Sequence, residues 1–107
     1  MNKDKALSFI GLANKAGKVV SGEFMTAKAI KEGKACLVII SLDASENTKK
    51  KFCNMSDYYQ VPLHFYSDKV SLGRAIGKEF RASIGVLDQG FAKGIIEKMV
   101  IESGGVI

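Results

Sequence analysis

The segment Lys18-Val-Val-Ser21-Gly22-Glu23-Phe24-Met25-Thr26-Ala27-Lys28-Ala29-Ile30 sets a glycine-bounded turn ahead of a short helix, with a lysine on either side of the helix start. A helix that opens at Ser21-Gly22 presents unpaired backbone N–H groups and the positive end of its dipole, and together these hold an anion such as phosphate. A second glycine-spaced segment, Leu72-Gly73-Arg74-Ala75-Ile76-Gly77-Lys78-Glu79, brings two more cations. The two segments make RNA the leading candidate partner.

Other chemistry lacks its residues. Gly11-Leu-Ala-Asn-Lys-Ala-Gly17-Lys18 has five residues between its glycines where a nucleotide-binding P-loop has four, and Val19 stands where a Ser or Thr would hold magnesium. It also follows a helical pattern and not a strand. His64 is the single histidine and sits between Leu63 and Phe65, so a His-paired nucleophile or a multi-His metal site has little to build on. Cys36 and Cys53 form no C-x-x-C pair and read as reduced thiols. Glu79, Asp88 and Glu97 read as caps or surface pairs. The expectation is a binding protein, not an enzyme, with no cofactor and no metal.

The 107 residues fit one domain, and 47% apolar content supports a small core. A formal charge of +5 favours an anionic partner, and residues 1 to 34, with seven lysines against three acids, carry +4 of it. The start Met1-Asn-Lys-Asp-Lys carries no secretory pattern, and no apolar run reaches the roughly 20 residues of a membrane span. A soluble, cytoplasmic protein with no membrane partner is expected.

The elements follow from periodicity and punctuation. Ala6, Leu7, Phe9, Ile10 and Ala13 recur at helical spacing between Lys3 and Asn14, and Gly17 stops that helix. A strand over Lys18 to Val20 feeds the Ser21-Gly22 helix, which runs to Gly33. The continuous run from Cys36 to Leu42 predicts a strand covered on both faces. A helix from Ser45 or Asn47 follows, with Phe52, Met55 and Tyr59 on one stripe and Lys49, Lys50 and Lys51 fanned around a solvated side. Val61 to Phe65 is the next strand, with Pro62 at its start. Asp68 caps a short helix bearing Val70, Leu72, Ala75 and Ile76. Ala82 to Leu87 is the last strand, and Asp88 caps a final helix burying Phe91, Ile95, Ile96 and Met99 before Gly104-Gly105 frays the end. One helix followed by four strand–helix pairs predicts an α/β fold, a three-layer α/β/α sandwich with a four-stranded mixed, mostly parallel sheet. Functional groups then gather on loops at one end of the strands.

Gly22 followed by Lys28-Ala29-Ile30, then Gly33-Lys34-Ala35 and Leu37-Val-Ile-Ile40, with Leu72-Gly73-x-Ala75-x-Gly77 before a hydrophobic strand, resembles the ribosomal L-seven-Ae and L-thirty-e superfamily of kink-turn RNA-binding proteins. The opening Gly11 to Glu23, the Asp43-Ala-Ser-Glu-Asn-Thr48 turn and Leu72 to Glu79 resemble its small bacterial YlxQ-type branch. The resemblance implies a single α/β/α domain that binds structured RNA, a kink-turn or bulged ribosomal element, without catalysis.

In the kink-turn readers a Gly-x-Asn-Glu motif opens the second helix and reads sheared G·A pairs, and a Lys engages the backbone. Gly22 and Lys28 keep their places here, whereas Phe24 and Met25 stand at the Asn and Glu positions and cannot make those base-edge hydrogen bonds. Phe24 either stacks on an unpaired base or packs inward, and its helical spacing favours the core. The resemblance further implies that the loop Ile76-Gly77-Lys78-Glu79-Phe80-Arg81 lies beside Gly22 and Glu23 and grips an extruded nucleotide. Lys15, Lys18, Lys28, Arg74, Lys78 and Arg81 are the expected phosphate contacts. A protein-interaction module on the same fold, with a ribosomal or other protein partner, is the rival reading.

Overall fold

The structure, a computed structural model, describes residues 4–102. The expected helix start at Lys3 and the fraying at Gly104-Gly105 lie outside them. Along the chain run α1 (Lys5–Lys15), β1 (Val19–Ser21), α2 (Glu23–Lys31), β2 (Leu37–Ile40), α3 (Glu46–Tyr59), β3 (Leu63–Phe65), α4 (Lys69–Ala75), β4 (Ser83–Val86) and α5 (Gln89–Glu102). The element order is the expected one, with β1 shifted by one residue and the other three strands two or three residues shorter. Leu42, for example, lies past the end of β2 and is exposed.

β2 and β4 are buried along their whole lengths because helices cover both faces of the sheet. Successive strand residues face opposite ways. Leu37 and Ile39 therefore join Ala6, Ile10, Leu72, Ile95 and Met99, while Val38 and Ile40 join Ala27, Ile30 and Phe52. This places α1, α4 and α5 on one face and α2 and α3 on the other, in three layers. Phe52, with no exposed surface, stabilises the smaller layer by about 2–3 kcal/mol. Tyr59 and Val70, expected on buried stripes, are more than two-fifths exposed.

The sheet order is β1-β4-β2-β3. β2 pairs in parallel with β3, but β4 runs antiparallel to both β1 and β2. The expectation of a mostly parallel sheet is corrected: two of the three pairings are antiparallel. A parallel crossover needs a connection long enough to carry the chain back along the sheet. Here α4 has only seven residues and the loop after it folds back along the helix, with Arg81 N–H donating to the Lys69 carbonyl (2.8 Å) and Lys78 N–H to the Gly73 carbonyl (2.8 Å). The fold-back is tight because Gly73 has no side chain: a Cβ there would stand 2.5 Å from Phe80 Cα. The chain thus returns to the sheet at the end it left, and β4 must run in the opposite direction. The carboxyl ends of β1, β2 and β3 and the start of β4 share that end, with Ser21 opposite Ile84 and Ile40 opposite both Ser83 and Phe65.

Candidate nucleic-acid interface

α2 begins at this end of the sheet. Its N-cap is Gly22, at φ 90° and ψ 159°, with no side chain bonded to the first turn. That backbone region is essentially closed to residues with a Cβ, so the Ser, Thr, Asp and Asn that usually cap helices are excluded by geometry. The other helices are capped: Asp4 accepts from Leu7 N–H, Ser45 from Thr48 N–H, Asp68 from Ser71 N–H and Asp88 from Phe91 N–H. Gly22 N–H itself donates to the Ser83 carbonyl (3.0 Å). The N–H groups of the following turn have no side-chain cap and lie at the positive end of the dipole.

Beside them lies a cleft of about 390 Å³ lined by Ser21, Gly22, Glu23, Asp43, Ser45, Thr48, Lys69, Phe80 and Arg81, among others. Arg81 is partly buried, and its Nε donates to Ser21 Oγ (3.0 Å) while its Nη1 donates to the Phe80 carbonyl (2.7 Å). These bonds anchor the guanidinium and leave it further N–H donors. Asp43 accepts from Lys69 N–H (3.0 Å). Asp68, which caps α4, is held below the ordinary carboxylate range, chiefly by the Ser71 N–H and then by the Ser71 hydroxyl. Glu23 sits in the first turn of α2, where the dipole favours it, and pairs with Lys51 of α3 (3.0 Å). The cleft offers cationic and N–H donors to an anion.

The expected site residues do not form one patch. Gly22, Glu23, Phe80 and Arg81 share the cleft. Lys15, Arg74, Ile76 and Gly77 line a different groove, of about 590 Å³, between α1 and α4, where Asn14 Nδ2 donates to the Ile76 carbonyl (3.4 Å). Lys78 and Glu79 are exposed on the loop between them. Lys18 lies at the opposite end of β1, its carbonyl accepting from Leu87 N–H (2.8 Å). Phe24 and Lys28 line a third hollow with Ala27, Lys31, Glu32 and Lys51. Phe24 is 76% exposed, so the core expectation for it is corrected: Thr26, Ala27, Ala29 and Ile30 are the residues α2 turns inward. Lys31, Lys51 and Lys69 went unread as site residues. Lys31 had a signal, since it continues the i, i+4, i+7 stripe of Phe24 and Lys28. Lys51 and Lys69 depend on tertiary contacts that no local pattern announces.

Fold and site together define a three-layer α/β/α protein that presents an uncapped helix start and a basic loop at one end of its sheet. The chain belongs to the Ribosomal protein L7Ae/L30e/S12e/Gadd45 family, whose family model matches residues 4–96. It is 48% identical over 87 residues, 81% of this chain and 87% of the relative, to the RNA-binding protein YlxQ of Bacillus subtilis (strain 168). The RNA-binding protein YlxQ of Enterococcus faecium is 45% identical over 92 residues, 86% of this chain and 88% of its own. Among solved structures, a Bacillus halodurans protein of unknown function superposes with a TM-score of 0.88 at 40% identity, covering 91% of this chain and 98% of its own. The Giardia lamblia 15.5kD RNA binding protein shares the fold, with a TM-score of 0.74 at 21% identity over 94% of this chain and 86% of its own. Among the described residues, no helix is long and apolar enough to cross a membrane.

Proposed function

We propose that this protein binds structured RNA in the cytoplasm without catalysing a reaction on it. The observation that carries this reading is the uncapped start of α2 beside the anchored Arg81 guanidinium, a ready phosphate site at the end of the sheet where the loops converge. Two relatives named as RNA-binding proteins, each similar over more than four-fifths of this chain, support it. The RNA backbone lies across the α2 start and the loop from Ile76 to Arg81, with Lys28, Lys78 and Arg81 meeting phosphates. A kink-turn or a bulged ribosomal element is the RNA this reading assigns to the site. The base-edge reading of sheared G·A pairs is altered, because Phe24 and Met25 offer neither the carbonyl nor the carboxylate of Asn and Glu.

Titrating a synthetic kink-turn RNA at several salt concentrations tests the reading. Affinity falls steeply with salt, and Lys28→Ala combined with Lys78→Ala reduces the slope of log K against log salt by about 2. A double variant that binds as wild type at every salt concentration removes these residues from the interface. The rival reading, a protein-interaction module, has one observation of its own: Leu12 is exposed on the α1–α4 groove, above Ala75 and Ile76. Stoichiometric recovery of a protein partner after nuclease treatment, with no RNA before it, would favour that reading.

A further inference from the structure

Phe24 stands on the first turn of α2 with three-quarters of its surface in solvent, and Lys28 and Lys31 follow it at i+4 and i+7. These spacings put all three on one stripe, with the lysines about 6 and 10 Å further along the helix axis. Lys51 reaches the same hollow from α3 and Glu32 also lines it, so that a single aromatic ring stands among three cations and one carboxylate around a space of about 390 Å³. The nearby acids are already occupied: Glu23 pairs with Lys51 (3.0 Å) and Glu32 with Lys34 (3.4 Å). Among the described residues, Lys28 and Lys31 have no carboxylate partner.

An aromatic contact for another protein would be expected at the centre of a patch poor in lysine, because lysines are depleted from protein–protein interface cores. This ring has the opposite surroundings. Phenylalanine carries no hydrogen-bond donor or acceptor, so it cannot read a base edge. What it offers is a flat apolar face, which any unpaired base can stack upon while neighbouring cations meet its flanking phosphates.

We propose that Phe24 is a stacking platform for one unpaired nucleobase, with Lys28 and Lys31 holding the adjoining phosphates. The proposal rests on the RNA-binding reading above and names the kind of RNA it selects: one that carries an unstacked nucleotide beside its paired stem. Phe24 is exposed, so its replacement leaves the core untouched.

The test uses two synthetic hairpins of the same stem, one fully paired and one with a single bulged 2-aminopurine, titrated against the full chain. Wild type binds the bulged RNA more tightly and changes the fluorescence of the bulged base. Phe24→Leu keeps the apolar volume but loses the ring; it weakens bulged-RNA binding about fivefold or more and abolishes the fluorescence change. It leaves the paired stem unaffected, while Phe24→Tyr retains both signals. Equal binding of the bulged RNA by wild type and Phe24→Leu, with Arg81→Ala still weakening both hairpins, overturns the platform and leaves RNA binding standing. Binding of neither hairpin by wild type overturns the RNA reading and this inference together.

Discussion

Helices α2 and α4 both begin at the same end of the sheet, yet only one of them is open to a ligand. α4 starts at Asp68, whose carboxylate accepts from the Ser71 N–H (2.8 Å) and the Ser71 hydroxyl (3.0 Å), and its returning loop is hydrogen-bonded to it at Lys69 and Gly73. α2 starts at a glycine held at φ 90°, with no side-chain hydrogen bond capping its first turn. The fold satisfies its own backbone at one helix and withholds that satisfaction at the other. The difference lies in one backbone conformation, because a capping residue cannot sit comfortably where Gly22 sits.

The largest expected effect is at Gly73, on which the closed half of the comparison depends. A Cβ placed there meets three backbone atoms of Phe80 at 2.5 to 2.8 Å, and backbone cannot yield as a flexible side chain does. Gly73→Ala costs about 3 kcal/mol, which lowers the melting temperature by roughly 12 °C or more for a domain of this size. It also releases the loop that carries Arg81, so RNA affinity falls with stability. A melting curve matching wild type would show that the loop is free to stand away from α4, and the contrast between the two helices would weaken.

That contact also marks the limit of what the sequence discloses. Glycines, Asp68, Asp88 and the apolar run through Leu37 to Ile40 punctuate the chain clearly enough to give nine elements in order and three layers. The direction of β4 is not among those signals, since it follows from seven helical residues folding against their own loop across Gly73. Phe24 was misread for a different reason. Its helical spacing favours the core, but Lys28 and Lys31 share its stripe, and a ring on a lysine stripe faces water. The separation of Lys18 from the α2 start is already implied by the strand between them, whereas that of Lys15 and Arg74 is a tertiary fact with no local trace.

A second prediction addresses the open helix directly. Gly22→Ser supplies a residue that ordinarily stabilises a helix start, but at this φ it introduces strain of about 2 kcal/mol. The variant is therefore less stable in urea, and it binds RNA more weakly because the first turn of α2 shifts. If Gly22→Ser instead raises the unfolding midpoint, the helix start tolerates a cap, and the openness of α2 has a cause other than the conformation of Gly22.

The smallest effect is expected at the cap of α4, and it carries a pH signature. Asp68→Ala removes the acceptor for Ser71 and costs about 1 kcal/mol, of which the purely electrostatic part is small because the carboxylate is exposed and screened. The Ser71 donors favour the ionised form and hold the Asp68 carboxyl below its ordinary value. A depressed group contributes stability that is fully present above the unfolded value, near 3.9, and is lost as pH falls through the lower folded value. The gap between wild type and Asp68→Ala in urea midpoints is thus constant around neutrality and closes in acid. RNA affinity at neutral pH changes little, since the Lys69 N–H stays bonded to Asp43 and the Arg81 anchor to Ser21 is independent of Asp68. A gap that persists undiminished after the folded carboxylate has been protonated would mean that its charge is irrelevant to the cap. A large change in RNA affinity would mean that the α4 start contributes more to the cleft than its Lys69 lining, and that the two helix starts work as a pair.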